Sequence, residues 1–348
     1  MKIAVIQPKM VGDVLITSVI FEELRLKFPT AELHYIINSN ADEVVKNNPF
    51  VNELILLYPN KQKGIIGFLK QLKRIRKEKY DVIIDSYSKL KTGLFCKFSG
   101  AKTTISFHKS YSHYFYSDTI DRNKASISIA TKAVEHRLQL LQPLGIDFRV
   151  LKPKIYLTTD EIERANQILL QEGILLNKPI VMISALGSSI SKTYPLKYMA
   201  KIVDEIAKFK NVQILFNYMP SQKEDAIKLY SLCEPATQNQ IFINFYAKSL
   251  LDFMSVCSQC TSLIGNEGGA TNMAKALDIP TFTIFSPFIL KNDWNMFENS
   301  TTNISVHISD YISESISKKS NTFEALYLKL KPQLFIDKLN AFLNHNNH

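Results

Sequence analysis

The segment LIGNEGGATNMAKALDIPTFTIFSP, residues 263–287, carries the signals of a strand, a glycine turn, a helix and a second strand in direct succession. The glycines of its GNEGG portion supply the turn, because glycine adopts positive φ without steric cost. Apolar residues recur at helical spacing from Ala270 to Leu277, and Thr281 to Phe285 is rich in β-forming residues. The segment therefore predicts a strand–turn–helix–strand unit.

A glycine turn that opens a helix is also a typical anion site. The first backbone N–H groups of the helix lack partners within it, and the positive end of the helix dipole points outward. Glu267 and Asn272 flank Gly268 and Gly269. A carboxylate and an amide have no structural reason to stand beside a tight turn, so we interpret the turn as a phosphate site. A βα turn without a ligand is the alternative.

The bulk properties predict a two-domain globular protein. The chain has 348 residues, 46% of them hydrophobic and 21% charged, with no apolar run long enough for a transmembrane helix. The segment MKIAVIQPKMVGD predicts a first strand rather than a signal peptide. The four cysteines lack metal-ligand spacing, which favours reduced thiols and a cytoplasmic location. The net charge of +10 indicates an anionic partner, and no nucleic-acid-binding signature accompanies it.

The first 37 residues predict a βαβ unit that opens a parallel Rossmann-like sheet. Gly12 stands alone without the other glycines of a dinucleotide fingerprint, which disfavours a dehydrogenase. We predict domains at residues 1–156 and 157–325. A terminal helix over residues 326–348 would pack back on the first domain.

Asp13 is the leading catalytic candidate because it follows the first strand, at the sheet edge where doubly wound folds bind ligands. The alternative is a helix cap, since aspartate is a favoured capping residue. Lys89 and Lys91 follow another predicted strand in the same half. The segment from Lys102 to Asp118 then mixes further cations with aromatic side chains, a combination that suits sugars and phosphates; an exposed, irregular loop of the first domain is the alternative.

A hydroxyl-rich loop after the first strand of the second half contains Ser188 and Lys192. Small residues whose N–H groups are accessible, together with a lysine, suit a diphosphate leaving group; a polar turn with a solvated lysine is the alternative. Asn217 follows a predicted strand, and Ser249 precedes a predicted helix. Both are weaker candidates for nucleotide contacts.

The segment Lys61 to Tyr80 combines helical apolar periodicity with eight cations and one acid. Such a helix suits the surface of an anionic membrane leaflet. The alternative is a solvated outer helix of the sheet, because packing on a sheet also requires an apolar stripe.

The segment from Glu267 to Ala274 resembles the carboxy-terminal donor motif of glycosyltransferase family 9, the lipopolysaccharide heptosyltransferases. Gly12-Asp13-Val14-Leu15 resembles the amino-terminal motif of that family. Two departures stand out: Gly268 replaces a hydroxyl residue and Asn272 replaces a histidine. The resemblance covers nearly the whole chain and implies the GT-B fold, two Rossmann-like doubly wound domains that face a central cleft.

The resemblance implies an inverting glycosyltransferase in which Asp13 is the general base and Gly12, Lys89 and Lys91 bind an anionic glycolipid acceptor. The nucleotide-sugar donor, such as ADP-heptose, would be bound by the second half through Ser188, Lys192, Asn217, Ser249, Glu267, Gly268, Gly269 and Asn272. No metal is expected to be obligatory, because no Asp-x-Asp pair is present.

The implied location is the cytoplasmic side of the inner membrane of a Gram-negative-type bacterium, with peripheral attachment. A non-hydrolysing sugar-nucleotide epimerase and a noncatalytic membrane-surface binding protein are the alternative functions.

Overall fold

The structure is a computed structural model that describes residues 1–59, 64–123, 125–312 and 322–346. Lys61 and Lys63 of the predicted basic helix lie outside the described residues. The chain divides into two compact units, Met1–Tyr156 and Leu157–His348.

The first unit is built on a six-stranded parallel sheet. Its strands are β1 (Lys2–Ile6), β2 (Glu32–Asn38), β3 (Glu53–Leu57), β4 (Val82–Asp85), β5 (Thr103–Phe107) and β6 (Asp118–Ile120). Its helices are α1 (Val11–Thr17), α2 (Val19–Lys27), α3 (Gly64–Lys77), α4 (Leu90–Ser99) and α5 (Thr131–Gln139). The inner strands are apolar almost throughout, as expected for strands covered on both sides.

The strand order of this sheet is β3-β2-β1-β4-β5-β6. The order reverses between β1 and β4, whose registers pair Ile6 with Asp85. Doubly wound sheets bind ligands at such a switch point, outside the carboxyl ends of the strands. Gly12 and Asp13 lie in the first turn of the helix that follows β1, and Lys89 directly precedes the helix that follows β4, so the topology brings together candidates that are far apart in sequence.

The second unit contains a five-stranded parallel sheet. Its strands are β7 (Ile180–Ser184), β8 (Gln213–Asn217), β9 (Ser262–Asn266), β10 (Thr281–Ile284) and β11 (Asn303–Val306). Its helices are α6 (Thr159–Gln171), α7 (Leu196–Ala207), α8 (Lys223–Leu232), α9 (Pro235–Gln238), α10 (Leu250–Cys257), α11 (Gly269–Ala276), α12 (Lys291–Trp294), α13 (Phe323–Lys329) and α14 (Ile336–Asn346).

The strand order here is β11-β10-β9-β7-β8, and the switch point lies between β7 and β9. The hydroxyl-rich loop follows β7, and the glycine turn of the GNEGG segment follows β9. The two predicted halves of the donor site therefore start from neighbouring strands.

The position of the last helix differs from the prediction. Leu339, Phe342 and Leu343 of α14 are fully buried in the core of the second unit, and the rings of Phe342 and Phe282 of β10 lie 5.7 Å apart. The apolar face of α14 is thus used inside the second unit, whereas the sequence placed it on the first domain. A helical stripe shows that a helix needs an apolar partner but does not identify the partner.

Two further local predictions are corrected. The first predicted helix is divided into α1 and α2 at Ser18. The sequence also predicts a strand from Ile241 to Phe245, but this segment makes only an isolated bridge, between Ile214 and Ile241. All four cysteines are buried and free, as the sequence indicated. Within the described ranges, no helix combines the length and apolarity needed to cross a membrane.

Candidate functional site

Asn266, the last residue of β9, fixes the glycine turn against the loop that follows β7. Its buried side chain donates to the carbonyl oxygens of Ser184 and Ala185, both at 2.9 Å, and accepts from the backbone N–H of Tyr194 at 2.7 Å. Because all three bonds are buried, they hold the two loops in one arrangement.

Close backbone contacts explain two glycines at this edge. A Cβ on Gly265 would lie 2.5 Å from the carbonyl oxygen of Ser184 in the adjacent strand, and one on Gly187 would lie 2.2 Å from the carbonyl oxygen of Lys192. Neither position can hold a side chain without moving backbone. The loop after β7 therefore folds back on itself, with Gly187 against the backbone of Lys192. The side chain of Lys192 extends to Glu267 in the glycine turn.

Lys192 and Glu267 form an ion pair, with Nζ and Oε1 3.1 Å apart. The lysine side chain is 33% exposed and the glutamate side chain 11%. Oε1 is buried, and within the described part of the chain no hydrogen-bond donor reaches it with good geometry. The carboxylate thus has a nearby charge but retains acceptor capacity for a hydroxyl group.

Helix α11 begins directly after this pair. Its N-cap is Gly268, with φ +153°, a residue that has no side chain with which to cap the helix. Gly269 is exposed and Asn272 half-buried. The free N–H groups at the start of α11 and the helix dipole would favour an anion at this turn, and anion binding there stays a prediction.

A small pocket adjoins the turn on the side of β10. It is lined by Glu267, Gly268, Thr271, Asn272, Lys275, Thr283, Phe285, Trp294 and Asn295. Lys275 is buried, and its Nζ donates to Asn295 Oδ1 at 2.7 Å and to the carbonyl oxygen of Met296 at 2.8 Å. The pocket combines a carboxylate, an amide and a partly exposed indole, the mixture that a sugar or nucleoside requires.

Lys275 and Trp294 were not predicted as site residues from the sequence. Lys275 is buried in α11, but in the sequence it stands at helical spacing from Thr271 and Asp278, on the polar side of the predicted helix, so its burial was not signalled. Nothing in the local pattern marks Trp294.

The other predicted donor residues are placed as follows. Ser188 is exposed in the loop after β7, and Asn217 ends the adjacent strand β8. Ser249 caps α10 by accepting from the backbone N–H of Asp252 at 3.0 Å, so its hydroxyl has a structural use.

Asp13 lies in the first turn of α1, at the switch point of the first sheet. The N-cap of α1 is Met10, whose side chain makes no capping hydrogen bond, and Asp13 stands three residues later, so the capping role does not apply to Asp13. Asp13 Oδ1 instead accepts from Arg137 Nη2 at 2.8 Å. Its side chain is 24% exposed and that of Arg137 is 14% exposed. A partly accessible carboxylate is thus held in place by a guanidinium from α5.

Burial lowers the pKa of Arg137, and Asp13 opposes that shift. Burial and the neighbouring Arg137 also lower the pKa of Arg122, whose guanidinium carbon lies 4.0 Å from the ring centroid of Phe107. Arg137 therefore contacts the carboxylate, and Arg122 lies near enough for Asp13 to oppose the lowering of its pKa as well. Neither was predicted, although Arg137 follows the buried Ala133 and Val134 at helical spacing, which marks a cation on a buried face.

The predicted acceptor residues lie at the same edge. Gly12 precedes Asp13 in α1, and Lys89 and Lys91 are exposed at the start of α4. Partial burial of its ammonium group and then repulsion from Lys9 lower the pKa of Lys91, so cations that follow two neighbouring strands share this edge.

Asp85 is a second, fully buried carboxylate at the end of β4. It accepts from the backbone N–H groups of Tyr87 and Ser88 and from the hydroxyl of Tyr116 at 2.7 Å. Burial raises the pKa of its carboxyl group. These contacts fix the turn that leads to Lys89.

One group in the described residues could hold a metal ion: Glu32, His34 and Glu53, whose ligand atoms lie within 4.8 Å of one another. His34 Nε2 lies 2.8 Å from Glu32 Oε1, and Lys2 Nζ already pairs with that carboxylate at 3.1 Å. Glu32 and Glu53 begin their strands, so the group lies at the amino edge of the sheet, away from Asp13.

Comparison with known proteins identifies the family. The family model for glycosyltransferase family 9 (heptosyltransferase) matches residues 68–322, well over half of the chain. The chain belongs to glycosyltransferase family 9. It is therefore a glycosyltransferase, as the two motifs predicted, and the epimerase and noncatalytic alternatives are set aside.

Several members of the family are similar to this chain. A lipopolysaccharide heptosyltransferase 1 of Campylobacter coli is 26% identical over 297 residues, which cover 82% of this chain and 84% of the relative. A solved family 9 glycosyltransferase of Veillonella parvula superposes with a TM-score of 0.82 at 16% identity and covers 99% of this chain and 97% of that chain.

The ADP-heptose lipopolysaccharide heptosyltransferase II of Escherichia coli superposes with a TM-score of 0.75 at 16% identity and covers 99% of each chain. These similarities confirm the predicted GT-B class for this family 9 member, with its two parallel sheets.

Proposed function

We propose that this family 9 enzyme transfers a heptose from a nucleotide diphosphate sugar such as ADP-heptose to a hydroxyl group of the lipopolysaccharide core, with inversion at the transferred carbon. Family membership supplies glycosyl transfer, and the names of the similar proteins suggest this donor and acceptor. The residues proposed for catalysis and for binding lie at the switch points of the two sheets.

The Lys192–Glu267 pair beside the uncapped start of α11 carries the proposal. Lys192 and the helix N–H groups bind the diphosphate and stabilise the negative charge that develops on it as the glycosidic bond breaks. Glu267 accepts hydrogen bonds from hydroxyl groups of the nucleotide sugar through Oε1, the oxygen that lacks a hydrogen-bond partner among the described residues. Ser188, Asn217, Ser249, Gly268, Gly269 and Asn272 complete the proposed donor contacts. Because lysine and the helix stabilise the leaving group, no obligatory metal is proposed.

Asp13 acts as the general base that takes the proton from the acceptor hydroxyl while that oxygen attacks the donor sugar. General-base assistance is worth roughly 10²–10⁴ in rate. The ion pair with Arg137 supports this role, because it keeps one oxygen of the carboxylate fixed while the side chain remains partly accessible. Gly12, Lys89 and Lys91 bind the anionic glycolipid acceptor at the same edge.

The lipid part of the acceptor implies that the enzyme works as a peripheral protein at the inner face of the cytoplasmic membrane of a Gram-negative-type bacterium. Gly268 and Asn272 depart from the donor motif of the family, so the sugar is best tested directly, with ADP-heptose compared against other nucleotide sugars.

The experiment is a thermal-shift screen of nucleoside diphosphates, followed by transfer assays of the corresponding sugars with core-oligosaccharide acceptors. We expect ADP to raise the melting temperature of both the wild type and Asp13→Ala, because the donor residues lie in the other unit. Transfer should be lost in Asp13→Ala. Normal turnover by this variant would remove Asp13 from the role of base.

A further inference from the structure

Helix α3 exposes large apolar side chains that the fold does not use. Ile65, Ile66 and Leu69 are 77%, 69% and 54% exposed. They belong to the apolar periodicity of the segment from Lys61 to Tyr80, and the alternative to a membrane role was that this stripe packs on the sheet. The structure instead buries Gly67, Gln71 and Ile75.

The inner face of α3 is already satisfied by other contacts. Phe68 stacks on Phe95 of α4, with ring centroids 5.0 Å apart, and Leu72 packs against the same core cluster. Packing on the sheet therefore does not explain why Ile65, Ile66 and Leu69, in the first two turns of α3, are apolar. Apolar side chains that cluster in this way mark a binding surface more often than isolated exposed residues do.

The same outer face becomes cationic in the later turns. Lys73, Arg76 and Lys77 lie on the exposed side, and α3 contains no acidic residue. Glu78, the nearest acid along the chain, is paired with Lys2 at 3.1 Å. A helix with apolar residues at one end and unopposed cations at the other has the composition of an interfacial helix.

The location of this face agrees with a membrane role. α3 starts after the carboxyl end of β3, so Ile65 and Ile66 lie toward the edge of the first sheet that also bears Asp13. A surface that binds a bilayer there would bring a lipid-anchored acceptor toward the acceptor edge of the same unit.

We propose that the outer face of α3 docks on an anionic lipid bilayer, with Ile65, Ile66 and Leu69 inserted among the acyl chains and Lys73, Arg76 and Lys77 on the lipid head groups. This inference deepens the proposed function, since it assigns the residues of the membrane contact. Charge complementarity identifies the partner: each cation near an anionic leaflet is worth about 1 kcal/mol, and each buried apolar side chain adds to this.

The test is co-sedimentation of the full chain with vesicles of phosphatidylglycerol and phosphatidylcholine in equal parts, and with vesicles of phosphatidylcholine alone. We expect binding to the anionic vesicles. The variant Ile65→Ser/Ile66→Ser/Leu69→Ser and the variant Lys73→Gln/Arg76→Gln/Lys77→Gln should each lose on the order of 100-fold in partition coefficient at low salt.

Matched controls come from the second unit. Leu170→Ser/Ile227→Ser/Leu328→Ser removes three exposed apolar side chains, and Lys197→Gln/Lys201→Gln/Lys210→Gln removes the same charge as the α3 variant. Both controls should bind as the wild type does. Equal losses in the controls, or wild-type binding by either α3 variant, would overturn the proposal, as would sedimentation of the free protein as a dimer that the apolar variant dissociates.

Two acceptor forms separate this inference from the proposed function. With a water-soluble, deacylated core acceptor, the α3 variants should turn over at the wild-type rate. With the acceptor embedded in vesicles their rate should fall. If the wild type transfers no sugar in either format, the proposed function is refuted. The vesicle-binding experiment would then still test the docking surface on its own. Equal loss in both formats would place α3 in the acceptor site instead of at the bilayer.

Discussion

Replacing Arg137 with leucine tests how the first unit holds its candidate base. The variant removes the guanidinium 2.8 Å from Asp13 and a second bond, from Nη1 to the carbonyl oxygen of Ala133 at 2.8 Å. At that separation, and at an effective dielectric constant of 20, the direct attraction is about 6 kcal/mol. Desolvation of the guanidinium, which lowers the pKa of Arg137, offsets much of this attraction.

Breaking a fully buried pair by removing one partner costs about 3–5 kcal/mol. Asp13 is 24% exposed, so water compensates part of that cost. We therefore expect Arg137→Leu to lower the free energy of unfolding of the first unit by about 2–3 kcal/mol. A double-mutant cycle with Asp13→Asn should give a coupling energy of about 1–3 kcal/mol.

Hydrogen exchange of the amides of β1 and β4 is the suitable assay, because these strands flank the switch point. The single tryptophan, Trp294, lies in the second unit and does not report on this region. Lys102→Leu is the control: its ammonium pairs with Asp81 at 3.3 Å, but its side chain is 84% exposed and that of Asp81 35%, so the loss should be about 0–1 kcal/mol.

The same variants are then assayed for transfer. Arg137→Leu should lower kcat at least tenfold, while ADP affinity stays at the wild-type value because the donor residues belong to the other unit. A coupling energy below about 0.5 kcal/mol together with an unchanged kcat would refute the assignment of Arg137 as the residue that positions Asp13.

Four further outcomes are expected. Lys192→Met should weaken ADP binding about 10- to 100-fold in calorimetry, because a charge-assisted hydrogen bond of about 1.5–3 kcal/mol is lost, whereas Lys197→Met should not. ADP or ADP-heptose should change the fluorescence of Trp294, and Trp294→Phe should lose the signal but still bind. Burial raises the pKa of Asp85 above its ordinary value of 3.8, so the folded chain holds this proton more tightly than the unfolded chain does. Wild-type stability should therefore fall relative to Asp85→Asn as the pH in urea titrations rises above about 4. Transfer should survive a chelator, and activity that is lost and then restored by added Mg²⁺ would show that the metal-free mechanism is wrong.

The sequence by itself determined the local units of this protein. Glycine turns and apolar periodicity predicted the strand–turn–helix unit around Glu267 and the opening βαβ unit around Asp13, because these signals act over a few residues. The parallel order of strands then follows, since strands joined by helices pair in parallel. The two motifs were therefore expected at the carboxyl edges of two sheets.

Only the tertiary structure decided which side chains meet at those edges. Arg137 reaches Asp13 across 124 positions of the chain, and Lys192 reaches Glu267 because the strand order makes β7 and β9 neighbours. The same reason accounts for the errors. A helical stripe reveals an apolar face but not its partner, so the sequence misplaced α14 and could not show that Ile65, Ile66 and Leu69 face outward. Long-range contacts depend on how complete elements pack, and no short window of sequence contains that information.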